Sequence, residues 1–147
     1  MRSEWVLRSL TGEAADVDAP SGPAPRHPPE AVLAAVLAAA RDGDAARMLA
    51  FASAAYLEAA GGAAAFETAL RRQPLAVLMG HRVARVARME QQSRHCCVAL
   101  VDVESALGTR AVATRFHWAL GLQQSGPLAS CWLTEGVPHV ASTRFID

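Results

Sequence analysis

The strongest constraint on the fold is a pair of apolar runs separated by a Gly-Pro turn, between Thr109 and Val137. Successive strand side chains point to opposite faces of a sheet, and the first run alternates accordingly. Its bulky side chains occupy every second position: Val112, Thr114, Phe116, Trp118, Leu120 and Leu122. Gln124 to Pro127 supply turn dihedrals, and the second run returns from Leu128 to Val137. The pattern predicts a β-hairpin that needs a covering layer, because isolated hairpins are marginally stable.

The alanine-rich segments upstream are the predicted covering layer. A first helix begins at Pro28 or Pro29, whose fixed φ suits a first helical turn, and ends before Gly43. Asp44 is placed to cap a second helix that runs to Ala52. Ser53 is placed to cap a short turn, and residues 63–72 are predicted to form a third helix.

Two more strands are predicted between the helices and the hairpin. Residues 82–91 carry interspersed arginines, which are typical of an edge strand, with Val83 and Met89 on one face and Val86 on the other. Residues 94–103 form the next alternating run. The prediction is an α+β domain over residues 29–140, with N-terminal helices packed on a curved antiparallel sheet of about four strands. Residues 1–28 are expected to form a flexible N-terminal tail, and residues 141–147 a C-terminal tail.

Composition excludes several classes of protein. Fourteen basic and fourteen acidic residues give a net charge of zero, so no overall field attracts nucleic acid. The longest apolar run, residues 31–40, is too short to span a bilayer. The three cysteines cannot all pair, which excludes a disulfide framework and favours a soluble protein in a reducing compartment.

Three segments carry a resemblance to a known family: FASAAYLEAAGG at residues 51–62, LMGHR at 78–82 and SCWLTEGV at 130–137. In this order they resemble an uncharacterised family of plants, algae and cyanobacteria, with Phe-Ala-Ser, Gly-His and Cys-Trp motifs. Members usually have Pro after Phe-Ala-Ser and Thr-Gly-Pro near the double glycine, where this chain has Ala54 and Ala63. The resemblance implies a chloroplast location.

The order of elements also resembles the nuclear-transport-factor-2-like (cystatin-like) cone, in which helices sit in a curved sheet and enclose a pocket. That superfamily includes cyclases, dehydratases and isomerases as well as non-catalytic binding and dimerising domains, so the fold alone does not assign a function.

Few residues are candidates for chemistry. His81 follows the Gly80 turn, where a histidine serves either as an acid or base or as a structural tie to a carbonyl, and we favour the tie. Arg115 and His117 share one strand face, which would hold a carboxylate if it faced a pocket, although the alternation favours an outward position. The predicted pocket lining is aromatic: Phe51, Tyr56, Phe66, Trp118 and Trp132.

No metal or other cofactor is expected. Cys96 and Cys97 lack the two-residue gap that lets paired thiolates hold zinc. The arginines near the first predicted strand lack the interleaved aromatics that stack nucleic-acid bases. A solvated edge or an acidic protein partner suits them better.

Two function hypotheses follow. The first is a non-catalytic binding or assembly domain that dimerises, or docks to a protein partner, through the outer sheet face. The second is a domain that binds a small apolar ligand, or a cofactor-free lyase or isomerase, using His81 with Arg115 or His117. The second requires these polar groups to converge on one cavity.

Overall fold

A computed structural model describes residues 22–72, 75–107 and 109–146, and these form an α+β domain. The described residues contain four α-helices: α1 (Pro29–Arg41), α2 (Ala45–Ala50), α3 (Ala54–Ala60) and α4 (Ala63–Leu70). A 3-10 turn at Leu75–Leu78 leads into an antiparallel sheet. Its strands are β1 (Val83–Ser93), β2 (Cys96–Leu107), β3 (Arg110–Leu122) and β4 (Trp132–Ile146), in the order β1-β2-β3-β4. The predicted class and meander are confirmed.

The helix ends follow the predicted caps. Gly43 has a φ of 70°, and its N–H donates to the Ala40 carbonyl. The backbone N–H of Arg47 donates to Asp44 Oδ1 at 3.1 Å, and that of Tyr56 donates to Ser53 Oγ at 3.0 Å. The Asp44 and Ser53 caps each satisfy a donor that a first helical turn leaves unpaired, and Gly43 pairs a carbonyl of the last turn of α1. The segment after Ser53, predicted as a short turn, is the seven-residue helix α3.

The apolar face of β3 packs against the helices, as the alternation predicts. Phe116 and Leu120 are fully buried and Trp118 is 1% exposed. They share one core with the apolar side of α1, which contributes Val32, Leu33, Val36 and Leu37. We call this side of the sheet the inner face and the opposite side the outer face.

A β-bulge changes the predicted face of Met89. The pairing of β1 with β2 shifts between Val86 and Arg88, so one extra residue enters β1. Val86 pairs with Val101 and Met89 pairs with Ala99, both of which are buried inner-face residues. Met89 therefore shares the inner face with Val86, and the prediction that placed it with Val83 is wrong.

The return strand of the hairpin starts later and ends later than predicted. Residues 128–131 belong to the β3–β4 turn, in which Ser130 has a φ of 69° and its N–H donates to the Gln123 carbonyl at 2.7 Å. At the other end β4 reaches Ile146, which pairs with Ala111. Residues 141–146, expected to be a tail, thus belong to the sheet. Of the predicted N-terminal tail, residues 1–21 lie outside the described part of the chain.

The two sheet edges differ. At the β4 edge, Ser53 N–H donates to the Thr134 carbonyl at 2.9 Å, and Thr134 N–H donates to the Phe51 carbonyl at 2.7 Å. This parallel bridge extends the start of β4 with the segment between α2 and α3. The β1 edge carries the exposed Arg85 and Arg88, in agreement with the predicted edge strand.

Candidate functional site

The interior between helices and sheet is filled. All five residues of the predicted pocket are buried, and three of them, Tyr56, Phe66 and Trp118, line a cavity of about 10 Å³. A cavity of this volume holds roughly one water molecule. Phe51 and Trp132 are core residues that do not line it. The space therefore has no room for an organic ligand in this conformation.

The polar groups around this cavity have structural partners. Trp118 Nε1–H donates to Thr134 Oγ1 at 3.3 Å, and the ring of Tyr56 meets Phe66 edge-on with 5.4 Å between the centroids. Burial raises the pKa of the Tyr56 phenol to about 12, because desolvation disfavours the phenolate. Tyr56 stays protonated at neutral pH and is not available as a base.

The His81 side chain forms a hydrogen bond within the turn that connects the helices to the sheet. Its side chain is buried, and Nδ1 lies 2.8 Å from the Leu78 carbonyl oxygen. Burial lowers the pKa of His81, so the neutral ring, donating from Nδ1, is the favoured form. The preceding Gly80 N–H donates to the Ala40 carbonyl at the end of α1, at 2.7 Å. The His81 ring does not line the cavity. Its hydrogen bond with the Leu78 carbonyl is the structural role that we favoured from the sequence.

Arg115 and His117 lie on the outer face. Both are at odd positions of β3, and the even positions that flank them, Phe116 and Trp118, are buried under the helices. The structure therefore does not bring Arg115 or His117 together with His81 or with the inner cavity. The convergence on one cavity that the enzyme hypothesis requires is not found among the described residues.

The outer face carries an ion pair between Asp102 and Arg115 that was not predicted from the sequence. Arg115 donates to both carboxylate oxygens of Asp102, from Nε at 2.7 Å and from Nη2 at 2.9 Å. The hydrogen bond from Arg115 holds the pKa of Asp102 below its ordinary value. From residue types alone, Asp102 and Glu104, which alternate on one strand face near a turn, are expected to be solvated. The signal that identifies the pair is the antiparallel register, which places residues 102 and 115 opposite each other.

A groove lies on the outer face around this ion pair. It has a volume of about 310 Å³. Arg85, Asp102 and Arg115 form one cross-strand row. Arg144 on β4 belongs to the next row of the outer face, which it forms with Val83, Glu104 and Ala113. We call this the arginine groove and define it by six of its lining residues: Val83, Arg85, Asp102, Glu104, Arg115 and Arg144.

The middle of the outer face is more apolar. Val98 and Leu100 on β2 and Ala119 on β3 are half-buried, with the exposed His117 among them. Leu100 pairs with Arg88 on one side and His117 on the other. The outer face therefore combines a small apolar centre with charges of both signs.

The cysteines show no metal-site geometry. Within the described ranges, no group of three or more His, Cys, Asp and Glu side chains lies close enough to hold a metal ion. Cys97 is buried, which raises the pKa of its thiol to about 11, while Cys96 is half-buried. Cys97 is therefore a small core residue.

No protein-family model, curated protein or solved structure matches this chain. The family resemblance and the cone architecture therefore stay predictions from the sequence. No helix in the described part of the chain is both long enough and apolar enough to cross a bilayer.

Proposed function

We propose that this chain is a non-catalytic assembly domain of the cone-shaped α+β kind, whose outer sheet face binds a protein surface. The observation that carries the proposal is the contrast between the two faces. The inner face is buried under helices around a cavity of about 10 Å³, whereas the outer face carries half-buried Leu100, exposed His117 and the arginine groove.

A second copy of the chain is the partner that best suits this face. Its charges are of both signs, with Arg85, Arg115 and Arg144 beside Asp102 and Glu104, so two copies can place unlike charges opposite each other. A formal net charge of zero also means that two copies experience no net repulsion.

The size of the face is adequate. The strands have 11 to 15 residues. At about 3.3 Å per residue and about 4.8 Å between strands, four such strands cover roughly 800 Å². A standard protein–protein interface buries about 800 Å² per partner.

Sedimentation equilibrium tests the proposal. We expect wild type to have twice the 15.5 kDa mass of the chain. Leu100→Glu places a charge at the centre of the outer face and is expected to give a folded monomer. Leu128→Glu is the matched control, because Leu128 is 37% exposed on the β3–β4 turn. A monomeric wild type, or dissociation by both substitutions alike, argues against the proposal.

The family resemblance adds a chloroplast location to this proposal. The position of a fluorescent fusion of the chain in plant or algal cells tests it, and fluorescence outside the plastid rejects it.

A further inference from the structure

We propose that the arginine groove receives a carboxylate side chain, an aspartate or a glutamate, from the protein that binds the outer face. This inference rests on the proposed function and adds the chemistry by which the partner is recognised. It is carried by the placement of the arginines, by the charge balance of the groove and by its volume.

Arg85 in the arginine groove has hydrogen-bond donors that are not all used by the acidic residues beside it. The Arg85 guanidinium has one ion-pair contact within the described residues, 3.8 Å from Asp102 Oδ2. That oxygen already accepts a hydrogen bond from Arg115 at 2.9 Å. The Arg85 side chain is 61% exposed, so its donors are accessible to a partner. Guanidinium donors bind carboxylates with paired hydrogen bonds.

The charge balance favours an anion. Three guanidinium groups line the groove beside two carboxylates, Asp102 and Glu104, which leaves one positive charge in excess. Asp102 also holds Arg115 in a fixed orientation through its two hydrogen bonds, so this arginine is already ordered before the partner arrives. An ordered donor loses less side-chain entropy on binding.

The shape of the groove suits an acidic side chain. Its volume of about 310 Å³ exceeds what one carboxylate needs and leaves room for the aliphatic part of the same residue. Val83, which is 45% exposed, offers that part an apolar contact. A single excess charge suits one carboxylate and is a weak site for a polyanion such as nucleic acid.

Two arginines of β1 form a matched pair with which the role of the groove can be tested. Arg85 and Arg88 lie on the same strand, with side chains 61% and 67% exposed. Arg88 pairs with Glu90 at 2.9 Å and does not line the groove. Arg85→Gln and Arg88→Gln therefore make the same change in net charge and differ in whether the groove is altered.

The experiment titrates the 15N-labelled full chain, at a concentration at which sedimentation shows it to be monomeric, with a capped decapeptide of alternating Glu and Ser, and follows amide chemical shifts. We expect the largest shifts at Arg85, Glu104 and Arg115. Arg85→Gln should raise the dissociation constant about fivefold, the upper end of the effect of one solvent-exposed ion pair, and Arg88→Gln should change it less than about twofold. A Gln-Ser decapeptide should not bind.

Three outcomes overturn the inference: an equal loss of affinity in both variants, shifts that avoid the groove, or equal affinity for the Gln-Ser peptide. Tighter binding of an oligouridylate with the same dependence on Arg85 also rejects the carboxylate assignment. The two proposals fail separately. A wild type that stays monomeric and binds the acidic peptide through Arg85 removes only the assembly through a second copy. A chain that dimerises at higher concentration but whose monomer does not bind the peptide removes only the carboxylate site.

Discussion

Two buried threonines on the inner face differ in their hydrogen bonding. Thr114 is 2% exposed, and its Oγ1 has no partner among the described residues. Thr134 is 5% exposed, and its Oγ1 accepts the Trp118 indole N–H at 3.3 Å. An unsatisfied buried hydroxyl costs about 1–3 kcal/mol, whereas a paired one contributes to stability.

Valine keeps the shape of threonine, so the same substitution at the two sites has opposite expected effects. Thr114→Val should raise the free energy of unfolding by about 1 kcal/mol, and Thr134→Val should lower it by about 1 kcal/mol. Urea unfolding of the two variants measures both values. A loss of stability in Thr114→Val contradicts the first expectation.

Gly121 lets the Glu135 side chain cross the end of the sheet. A Cβ at position 121 would lie 2.6 Å from Glu135 Oε2 and would also overlap the Cγ atom. The displaced carboxylate would lose the hydrogen bond that it accepts from Gln123 Nε2, now 2.7 Å, and the one from Ser53 Oγ, now 3.4 Å. The glycine is therefore needed for space and not for its backbone dihedral angles.

A double-mutant cycle tests this role of Gly121. Gly121→Ala alone should cost roughly 0.5 kcal/mol, because Glu135 is exposed and water partly replaces the polar contacts that it loses. In a Glu135→Ala background the same substitution should cost almost nothing, and the difference is the coupling between the two residues. Equal costs in the two backgrounds would show that the clash with Glu135 is not the cause.

At the scale of elements, Ser53 joins α3 to the sheet. Its Oγ caps the helix by accepting from Tyr56 N–H, and its own N–H donates to the Thr134 carbonyl of β4. Substitution by alanine removes the cap but keeps the backbone bond. The helix it caps also places Tyr56 in the core.

Ser53→Ala should lower the free energy of unfolding by about 1 kcal/mol, the usual cost of losing an N-cap. Asp44→Ala removes a comparable cap from the six-residue helix α2, but Asp44 is exposed, so water replaces the lost bond and we expect a smaller loss. Urea unfolding of both variants provides the comparison. A larger cost for Asp44→Ala would refute the link between burial and cap strength.

The elements that the sequence predicts well are those fixed by local chemistry. The alternation of β3 identified its buried face, and Asp44 and Ser53 identified two helix starts. The bulge that moved Met89 depends on pairing with β2, and the extension of β4 to Ile146 depends on pairing with β3. Neither pairing produces a periodic pattern within one strand. The bulge and the extension therefore cannot be predicted from the residues of a single segment.

The candidate site was also hard to predict, because it depends on contacts between separate elements. The aromatic residues assigned to a pocket are buried, but whether buried aromatics enclose a ligand or fill a core depends on how closely helices and sheet approach each other. The contact between Asp102 and Arg115 joins residues on different strands and becomes visible only with the register. Residue types alone had placed Asp102 in solvent.

At the scale of the whole molecule, two side chains make stability depend on pH in different ranges. The pKa of His81 is lowered mainly by burial, while the Leu78 carbonyl opposes this effect. The unfolded chain then binds a proton to His81 at a higher pH than the folded chain does. The contribution of neutral His81 to the free energy of unfolding is complete above the unfolded pKa of about 6.5. It is lost as the pH falls from there through the lower pKa of the folded state.

Asp102 acts at lower pH. The hydrogen bond from Arg115 lowers its pKa, so folding favours the carboxylate. This contribution is present above the ordinary aspartate pKa of about 3.9 and is lost as the pH falls through the lower pKa of the folded state.

Urea unfolding between about pH 3 and pH 8, followed by tryptophan fluorescence, should therefore show two separate losses of stability with acidification. His81→Gln, which keeps a donor near the Leu78 carbonyl, should remove the loss that begins near pH 6.5 and leave the acidic one. Asp102→Asn should do the reverse. Because other groups titrate as well, the quantity to compare is the difference between each variant and wild type at every pH. A constant difference for His81→Gln across neutral pH would mean that the buried ring does not link folding to protonation, and the tie at the Gly80 turn would then be independent of pH.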